Sequence, residues 1–262
     1  MKAWLRLFRV VNLPTVPGDV LVGAAAVLTV GRHSEFSGLD YVWCARLLAP
    51  VWWAAGASVL LYMFGLVQND IMGAKTDRNR PIPNGEISMD SAWAAATVCL
   101  AAAFGCAYIG GLFDGDWTGR FCWPWCAIAL VVAITVYNRS KAWWMMGFCR
   151  AMNVLLGAAA VVGGGLKQAE CIGLRPMCVA VLWWLYISLV TLYSEGEEND
   201  PVKKRRVGLL VGGIVYLQLT ALIVLTLEFP QVAAMRPLLV AGAVLLVLLR
   251  LFKKVFPEVS AS

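Results

Sequence analysis

Long apolar stretches recur along the chain and are separated by short polar segments. Several of these stretches reach the roughly 20 residues that an α-helix needs to cross a bilayer, and 60% of the 262 residues are hydrophobic. They lack the alternation of barrel strands, and an open sheet edge cannot satisfy its backbone groups in lipid. The pattern predicts an all-α, polytopic membrane helical bundle with spans at 11–31, 45–67, 91–112, 121–137, 142–164, 174–193, 207–227 and 233–251.

The predicted spans are joined by short loops, so we expect residues 1–262 to form a single transmembrane domain. Lys and Arg are distributed unevenly, with fifteen on one predicted face of the membrane and six on the other. Because basic loops stay on the cytoplasmic side, both termini and the polar loops 68–90 and 194–206 are expected there. Topology and anionic headgroups account for the net charge of +6, and no nucleic-acid partner is needed.

Cysteine and histidine give little support for metal or nucleophile chemistry. The eight cysteines form no CxxC pair, and the single histidine, His33, falls in a predicted outer loop. A zinc site, a disulfide framework and histidine-based catalysis are therefore not expected.

Acids, amides and basic residues are concentrated in the loop after the second span. If that span continues as a helix, Asn69, Gly73 and Asp77 share one side of it. Asp70 lies beside them, and Arg80 follows. Mg²⁺ prefers oxygen ligands and often bridges carboxylates to substrate phosphates, while arginine pairs with phosphate oxygens directly. The cluster suits a metal-bridged diphosphate, and a solvated loop with ordinary topogenic charge is the alternative.

A second acidic group follows the sixth span and contains Glu195, Glu197 and Glu198. These carboxylates could face the same site, or they could belong to a plain charged loop. The adjoining basic run at 203–206 is best explained by topology and by contact with anionic lipid.

Polar residues also occur inside or at the ends of the fourth and fifth spans. Arg150 and Asn153 are spaced to face the bundle interior together. A charge at that depth needs a partner, which could be a ligand phosphate or an acid from the loops. Tyr137 and Lys141 could donate to a phosphate as a pair, or they could be interfacial anchors.

Together these segments resemble the UbiA superfamily of intramembrane prenyltransferases, especially its bacterial branch of uncertain substrate. NDxxGxxxD at 69–77, followed by RPIPNG at 80–85, is similar to the first acidic motif of that superfamily. RVVNLPTVPGD near the N-terminus, YNRSK from Tyr137 and GFCRAMNVLLG around Arg150 are similar to further segments.

The resemblance implies a bundle of eight to nine spans in a bacterial inner membrane. It implies transfer of an isoprenyl chain from a prenyl diphosphate to a lipophilic or aromatic acceptor, with Mg²⁺ as cofactor and release of pyrophosphate. The implied metal ligands are Asn69, Asp70, Asp77 and Glu197, and the implied catalytic residues are Asp77, Asp70 and Lys141. The implied diphosphate-binding residues are Asn69, Arg80, Tyr137, Lys141, Arg150 and Asn153.

The chain departs from the superfamily pattern in three places. Gly73 stands where the first motif has the first aspartate of its DxxxD, and the spacing from Asp77 to Arg80 is short. The second motif is rich in glutamate, and the similarity of Thr191 to Glu197 with a Thr-x₅-Glu pattern makes Glu197 the preferred ligand there. The alternative reading, which rests on Gly73, is a non-catalytic lipid-binding or transport protein with the same fold.

Overall fold

The computed structural model describes residues 2–29, 41–74, 80–111, 123–163, 173–197, 200–230 and 232–256. Within these ranges the chain is helical and contains no strand, which confirms the all-α prediction. The helices are α1 (Lys2–Leu7), α2 (Thr15–Leu28), α3 (Tyr41–Met72), α4 (Met89–Gly111), α5 (Trp123–Ser140), α6 (Trp143–Gly163), α7 (Leu174–Ser194), α8 (Pro201–Glu228) and α9 (Met235–Val255).

Each of the eight predicted spans coincides with one of the long helices α2 to α9. Among the described residues, six helices are long and apolar enough to cross a membrane, by length and composition, and the apolar part of α5 is shorter. Large apolar side chains such as Val98, Leu182 and Leu227 face outward. Such a surface suits lipid surroundings, because water penalises large apolar patches. The architecture is that of a multi-pass membrane protein.

The start of the first span is irregular, as its prolines lead one to expect. A short 3₁₀ turn, Val10–Asn12, precedes α2, which begins at Thr15 and not at residue 11. Pro14 and Pro17 flank this start, where a missing backbone N–H costs no helical hydrogen bond.

α2 lies at the centre of the bundle and packs against α3, α6, α7, α8 and α9. Its closest approach is to α6 and involves one glycine from each helix. A Cβ added at Gly23 would lie 1.8 Å from the carbonyl oxygen of Val154, and one at Gly157 would lie 1.9 Å from that of Val20. Only glycine fits there, and small residues commonly allow such backbone contact between membrane helices.

Two helix boundaries bear on the predicted loops. α3 continues to Met72, which confirms the predicted extension of the second span through Asn69 and Asp70. The helix ends before Gly73, so a shared helical side for Asn69, Gly73 and Asp77 is not confirmed. α8 begins at Pro201, earlier than the predicted residue 207, so the basic run at 203–206 belongs to a helix and not to a loop. The reason is an N-cap: Asp200 accepts hydrogen bonds from the backbone N–H groups of Val202 and Lys203, at 2.9 and 3.1 Å.

Candidate functional site: a cation-lined cavity between the helices

A cavity of about 320 Å³ lies between α3, α5 and α6. On each of these helices the lining residues recur every three or four positions, so a single face of each helix forms the wall. On α3 these residues include Ser58, Tyr62, Leu66 and Asn69. Among the described residues that line this central cavity, four are basic and none is acidic.

Three of the four basic residues gather at the mouth of the cavity, where α3 and α5 end. Arg9 reaches it from the turn before α2, Arg80 from the segment after α3, and Lys141 from the end of α5. The Nζ of Lys141 donates a hydrogen bond to the Oδ1 of Asn69. It also lies 5.7 Å from the centre of the Tyr137 ring. The mouth therefore presents a concentration of positive charge.

Two of these cations have an unusual backbone conformation. Arg9 has a φ of 43° and Lys141 a φ of 53°, and in the described part of the chain no other non-glycine residue has a positive φ. In Lys141 this conformation ends α5, because its N–H still donates to the carbonyl of Tyr137 at 2.8 Å while the chain turns into α6. Left-handed geometry costs a non-glycine residue about 1–2 kcal/mol, and such strain tends to occur at functional sites.

Asp70 lies behind the mouth and pairs with Arg80. The Nη1 of Arg80 is 2.6 Å from the Oδ1 of Asp70, and Asp70 is buried. The predicted turn at 80–85 holds Arg80 there: Asn84 donates its backbone N–H to the carbonyl of Arg80 at 3.0 Å, and Gly85 has a φ of 78°. The pair fixes the Arg80 side chain at the cavity wall.

The environment of Lys141 lowers the pKa of its ammonium group. Partial burial, followed by the positive charge of Arg80, lowers the pKa of Lys141 below its ordinary value of 10.5. Both causes penalise the ammonium form. An anion bound at the mouth would offset them.

The inner end of the cavity is polar. The hydroxyl of Ser58 on α3 donates to the Oδ1 of Asn153 on α6, at 2.7 Å in a buried position. Ser58 lies eleven residues before Asn69 on α3, about 16 Å along the axis at 1.5 Å per residue. The contact between Lys141 and Asn69 thus joins the end of α5 to α3, and the contact between Ser58 and Asn153 joins α3 to α6 at the opposite end of the cavity.

Arg150 also lies at the inner end, and its partner corrects one expectation. The sequence suggested a ligand phosphate or an acid from the loops, whereas the partner is Asp19 of α2, with 2.8 Å between Arg150 Nε and Asp19 Oδ2. Arg150 also donates to the backbone carbonyl of Thr15 at 2.7 Å. The Oδ1 of Asp19 accepts two hydrogen bonds, from Trp183 at 2.8 Å and from Gln218 at 2.6 Å. A buried acid in α2 can form such a pair because Gly23 and Gly157 let α2 approach α6 closely.

The structure brings together six of the residues predicted for the site. These six line the central cavity: Asn69, Arg80, Tyr137, Lys141, Arg150 and Asn153. Asp70 is not among the lining residues, but it forms an ion pair with Arg80, which is. Glu197 lies half-buried in the turn after α7 and is not among the lining residues, so its role stays a prediction. Asp77 lies outside the described residues.

Sequence reasoning missed four residues that shape the cavity: Arg9, Asp19, Tyr62 and Asn138. Asp19 carried a usable signal, because an acid inside an apolar span needs a partner. Asn138 donates to the carbonyl of Gly65 at 3.0 Å and to Gln68 at 2.7 Å, which fastens α5 to α3. Arg9 begins the RVVNLPTVPGD segment that resembles the superfamily, but its charge by itself indicates only topology.

The described residues provide an incomplete ligand set for Mg²⁺. Asn69 and Asp70 supply the oxygen ligands that Mg²⁺ prefers, but Lys141 already donates to Asn69 and Arg80 is paired with Asp70. Within the described ranges no group of three or more His, Cys, Asp or Glu side chains could hold a metal. A magnesium site here would need a further acid, and the sequence candidate is Asp77.

The fold and the cavity define a class: a multi-pass membrane protein, helical throughout its described ranges, with a cation-lined cavity between its helices. No protein-family model and no curated protein sequence matches the chain. A UbiA homologue from Archaeoglobus fulgidus bound to DMAPP and Mg²⁺ is similar in structure, with 15% identity, a TM-score of 0.48, and coverage of 98% of this chain and 87% of that chain.

The same homologue bound to GPP and Mg²⁺ gives 15% identity and a TM-score of 0.46, over 98% of this chain and 87% of the other. A structure concerned with digeranylgeranylglyceryl phosphate synthase in membranes gives 16% identity and a TM-score of 0.47, over 99% of this chain and 96% of that one. UbiA is also the superfamily that the sequence motifs resemble.

Proposed function

We propose that the protein is a UbiA-type prenyltransferase, which moves an isoprenyl chain from a prenyl diphosphate to a lipophilic acceptor inside the membrane. The observation that carries this proposal is the placement of Arg9, Arg80 and Lys141 at the mouth of an intramembrane cavity. Clustered cations suit a diphosphate, because charge-assisted hydrogen bonds to phosphate oxygens are the strong ones. The apolar wall behind them suits the isoprenyl chain.

In this proposal the cations at the mouth bind the diphosphate and stabilise the charge that develops as it leaves. The bond between C1 of the prenyl group and the diphosphate oxygen breaks, and its electron pair stays on the diphosphate. The nucleophilic atom of the acceptor forms the new bond to C1. The acceptor loses one proton, which the pyrophosphate product can accept. Tyr137 and Asn69 complete the wall beside Lys141.

Exclusion of water is the second requirement of this chemistry, since an allylic cation reacts readily with water. The wall beyond the mouth contains Leu66, Leu130, Ile134 and Met146. These apolar side chains offer water no hydrogen-bond partner. In this proposal the bundle is surrounded by lipid, which also excludes water. A dry reaction space is the expected result.

We propose Mg²⁺ as the cofactor, held by Asn69, Asp70 and Asp77, with Glu197 as the candidate from the second motif. When bound, the metal would neutralise charge on the diphosphate. Asp70 is paired with Arg80. To bind Mg²⁺, Asp70 would have to release Arg80. We also propose that the mouth faces the cytoplasm in a bacterial inner membrane, as the basic loops predict.

Binding of geranyl thiodiphosphate, an unreactive analogue, tests this function. The purified wild-type protein should bind it only with Mg²⁺ present, and Asp77→Asn should weaken binding at least about tenfold, which corresponds to 1.4 kcal/mol. Asp90→Asn is the matched control, because Asp90 is exposed in the first turn of α4. If the wild type does not bind the analogue, the non-catalytic alternative that Gly73 suggests is favoured.

A further inference from the structure

The polar inner end of the central cavity is too far from the mouth to share one ligand group with it. The contact between Ser58 and Asn153 lies about 16 Å along α3 from Asn69. Between the two ends the wall is largely apolar, with Leu66 and Ile134. Any ligand group that the polar residues of the inner end bind must therefore differ from the diphosphate at the mouth.

Hydrogen-bond donors remain available at the inner end. Arginine has five N–H donors; those of Arg150 make two hydrogen bonds to Thr15, and its Nε lies 2.8 Å from Asp19 as an ion pair without hydrogen-bond geometry. The amide oxygen of Asn153 accepts from Ser58, whereas its amide nitrogen has no hydrogen-bond partner in the part of the chain that the structure describes. Arg150 is 5% exposed and Asn153 6% exposed, and both line the cavity. Buried donors of this kind ordinarily have partners.

The charge at this end is already balanced. Asp19 is fully buried and pairs with Arg150, and its other oxygen accepts from Trp183 and Gln218. A ligand carboxylate would add a second buried anion beside this neutral pair, which is costly without a further cation. A hydroxyl, carbonyl or amide oxygen would satisfy the donors without adding charge.

We propose that the inner end of the central cavity binds an uncharged oxygen of the prenyl acceptor, through N–H groups of Arg150 and Asn153. Asp19 sets this preference, because it neutralises Arg150 and holds its guanidinium in place. The inference rests on the proposed prenyl transfer, in which the diphosphate occupies the mouth and the acceptor lies deeper. It assigns Arg150 and Asn153 to the acceptor rather than to the diphosphate.

Two probes of the same shape and different charge test the proposal: 4-fluorobenzamide and 4-fluorobenzoate, observed by ¹⁹F NMR on protein in nanodiscs with geranyl thiodiphosphate bound. The wild type should bind the amide at least about tenfold more tightly than the carboxylate. Asp19→Asn leaves Arg150 with an unbalanced charge, so the carboxylate should gain at least about tenfold in affinity. Asp90→Asn, the same change at an exposed position, should alter neither affinity.

Asn153→Leu provides a second variant, because an unbalanced Arg150 can unfold the bundle in Asp19→Asn. Leucine has the same number of side-chain heavy atoms with the same branching, and it has no amide donors. Binding of 4-fluorobenzamide should fall at least about fivefold, in line with the loss of one hydrogen bond. Thr97→Val, on the lipid-exposed face of α4, is its control.

Equal affinity for the two probes, binding of neither, or an unchanged amide affinity in Asn153→Leu would overturn the proposal. The thiodiphosphate affinity of the same wild-type samples separates the two hypotheses. If the analogue binds and the amide shows no preference, only the acceptor subsite is wrong. If the analogue does not bind, the prenyltransferase function fails, and the acceptor subsite fails with it.

Discussion

Lys141 illustrates how one residue joins the local fold to the proposed chemistry. Its left-handed backbone ends α5, its ammonium group donates to Asn69, and it stands beside Tyr137 at the mouth of the cavity. Because this geometry is strained, the position is held by the two helices around it and not by local preference. The charge is therefore in place before a ligand arrives.

Lys141→Gln should weaken binding of geranyl thiodiphosphate by roughly ten- to hundredfold, because a hydrogen bond to a charged group contributes about 1.5–3 kcal/mol. The measurement is the dissociation constant in detergent or nanodiscs at fixed salt. Lys204→Gln removes the same charge at an exposed position of α8 and should leave the constant unchanged. Equal effects of the two variants would mean that only overall charge matters.

The pH dependence of binding should report the same lysine. Its pKa is lowered by burial and by Arg80, and an anionic ligand favours the charged form. Affinity should therefore be highest below the pKa of Lys141 in the free protein and should fall as pH rises through it, starting below 10.5. Lys141→Arg keeps its charge throughout and should flatten this part of the curve. If the affinity of Lys141→Arg fell over the same pH range as that of the wild type, a titratable group other than Lys141 would be responsible for the fall.

At the residue level the sequence identified six lining residues, since motif similarity and helical spacing both bear on single helices. The partner of Arg150 was not predicted, because it depends on which two helices are in contact. Asp19 and Arg150 are 131 positions apart, and no spacing rule relates them. Arg9 escaped because a basic residue near a membrane-protein terminus has an ordinary topological explanation.

The crossing of α2 and α6 is the element-level feature on which the site depends. It brings Asp19 to Arg150 and thereby sets the charge of the inner end. Its closeness requires Gly23 and Gly157, each of which faces a carbonyl oxygen of the other helix.

Gly23→Ala should separate these helices and destabilise the protein by about 1–3 kcal/mol, the usual range for overpacking. Thermal unfolding in detergent measures the change. Gly105→Ala in α4 is the matched control, because a Cβ there would have no atom within 4 Å. It should be neutral or stabilise by up to about 1 kcal/mol. The account of the crossing would be wrong if Gly23→Ala were as stable as the control.

Helix existence could be predicted and helix ends could not. Every predicted span has its helix, since apolar length alone signals a span. The start of α8 was wrong by several residues, because the basic run at 203–206 looks like a loop in hydropathy while the Asp200 cap and Pro201 start a helix before it. The N-cap at Asp200 therefore decides where α8 begins, although the residues that follow it are polar.

At the scale of the whole molecule, the eight spans predicted from the sequence are an even number of crossings and would leave both termini on the same side of the membrane. The basic residues predict that this side is the cytoplasm. A green fluorescent protein fusion at the C-terminus should fluoresce, and alkaline phosphatase should be active when inserted in a predicted outer loop, such as the one between α6 and α7. Active phosphatase at the C-terminus would contradict this orientation.

The fold class follows from composition, but the cavity does not. Its wall combines one face from each of α3, α5 and α6, and its mouth adds residues from two further segments. Those relations depend on tertiary packing that periodicity within single helices does not contain. The concentration of cations at one end, and of donors balanced by Asp19 at the other, emerges only from the assembled bundle.

The most direct test of the central claim is an experimental structure of the protein with geranyl thiodiphosphate and Mg²⁺ bound. The account predicts the diphosphate at the mouth, with its oxygens about 3 Å from the side-chain nitrogens of Lys141 and Arg80, and the geranyl chain against the apolar wall. A diphosphate bound elsewhere, such as in the groove between α3 and α9 beside Arg236, would contradict it.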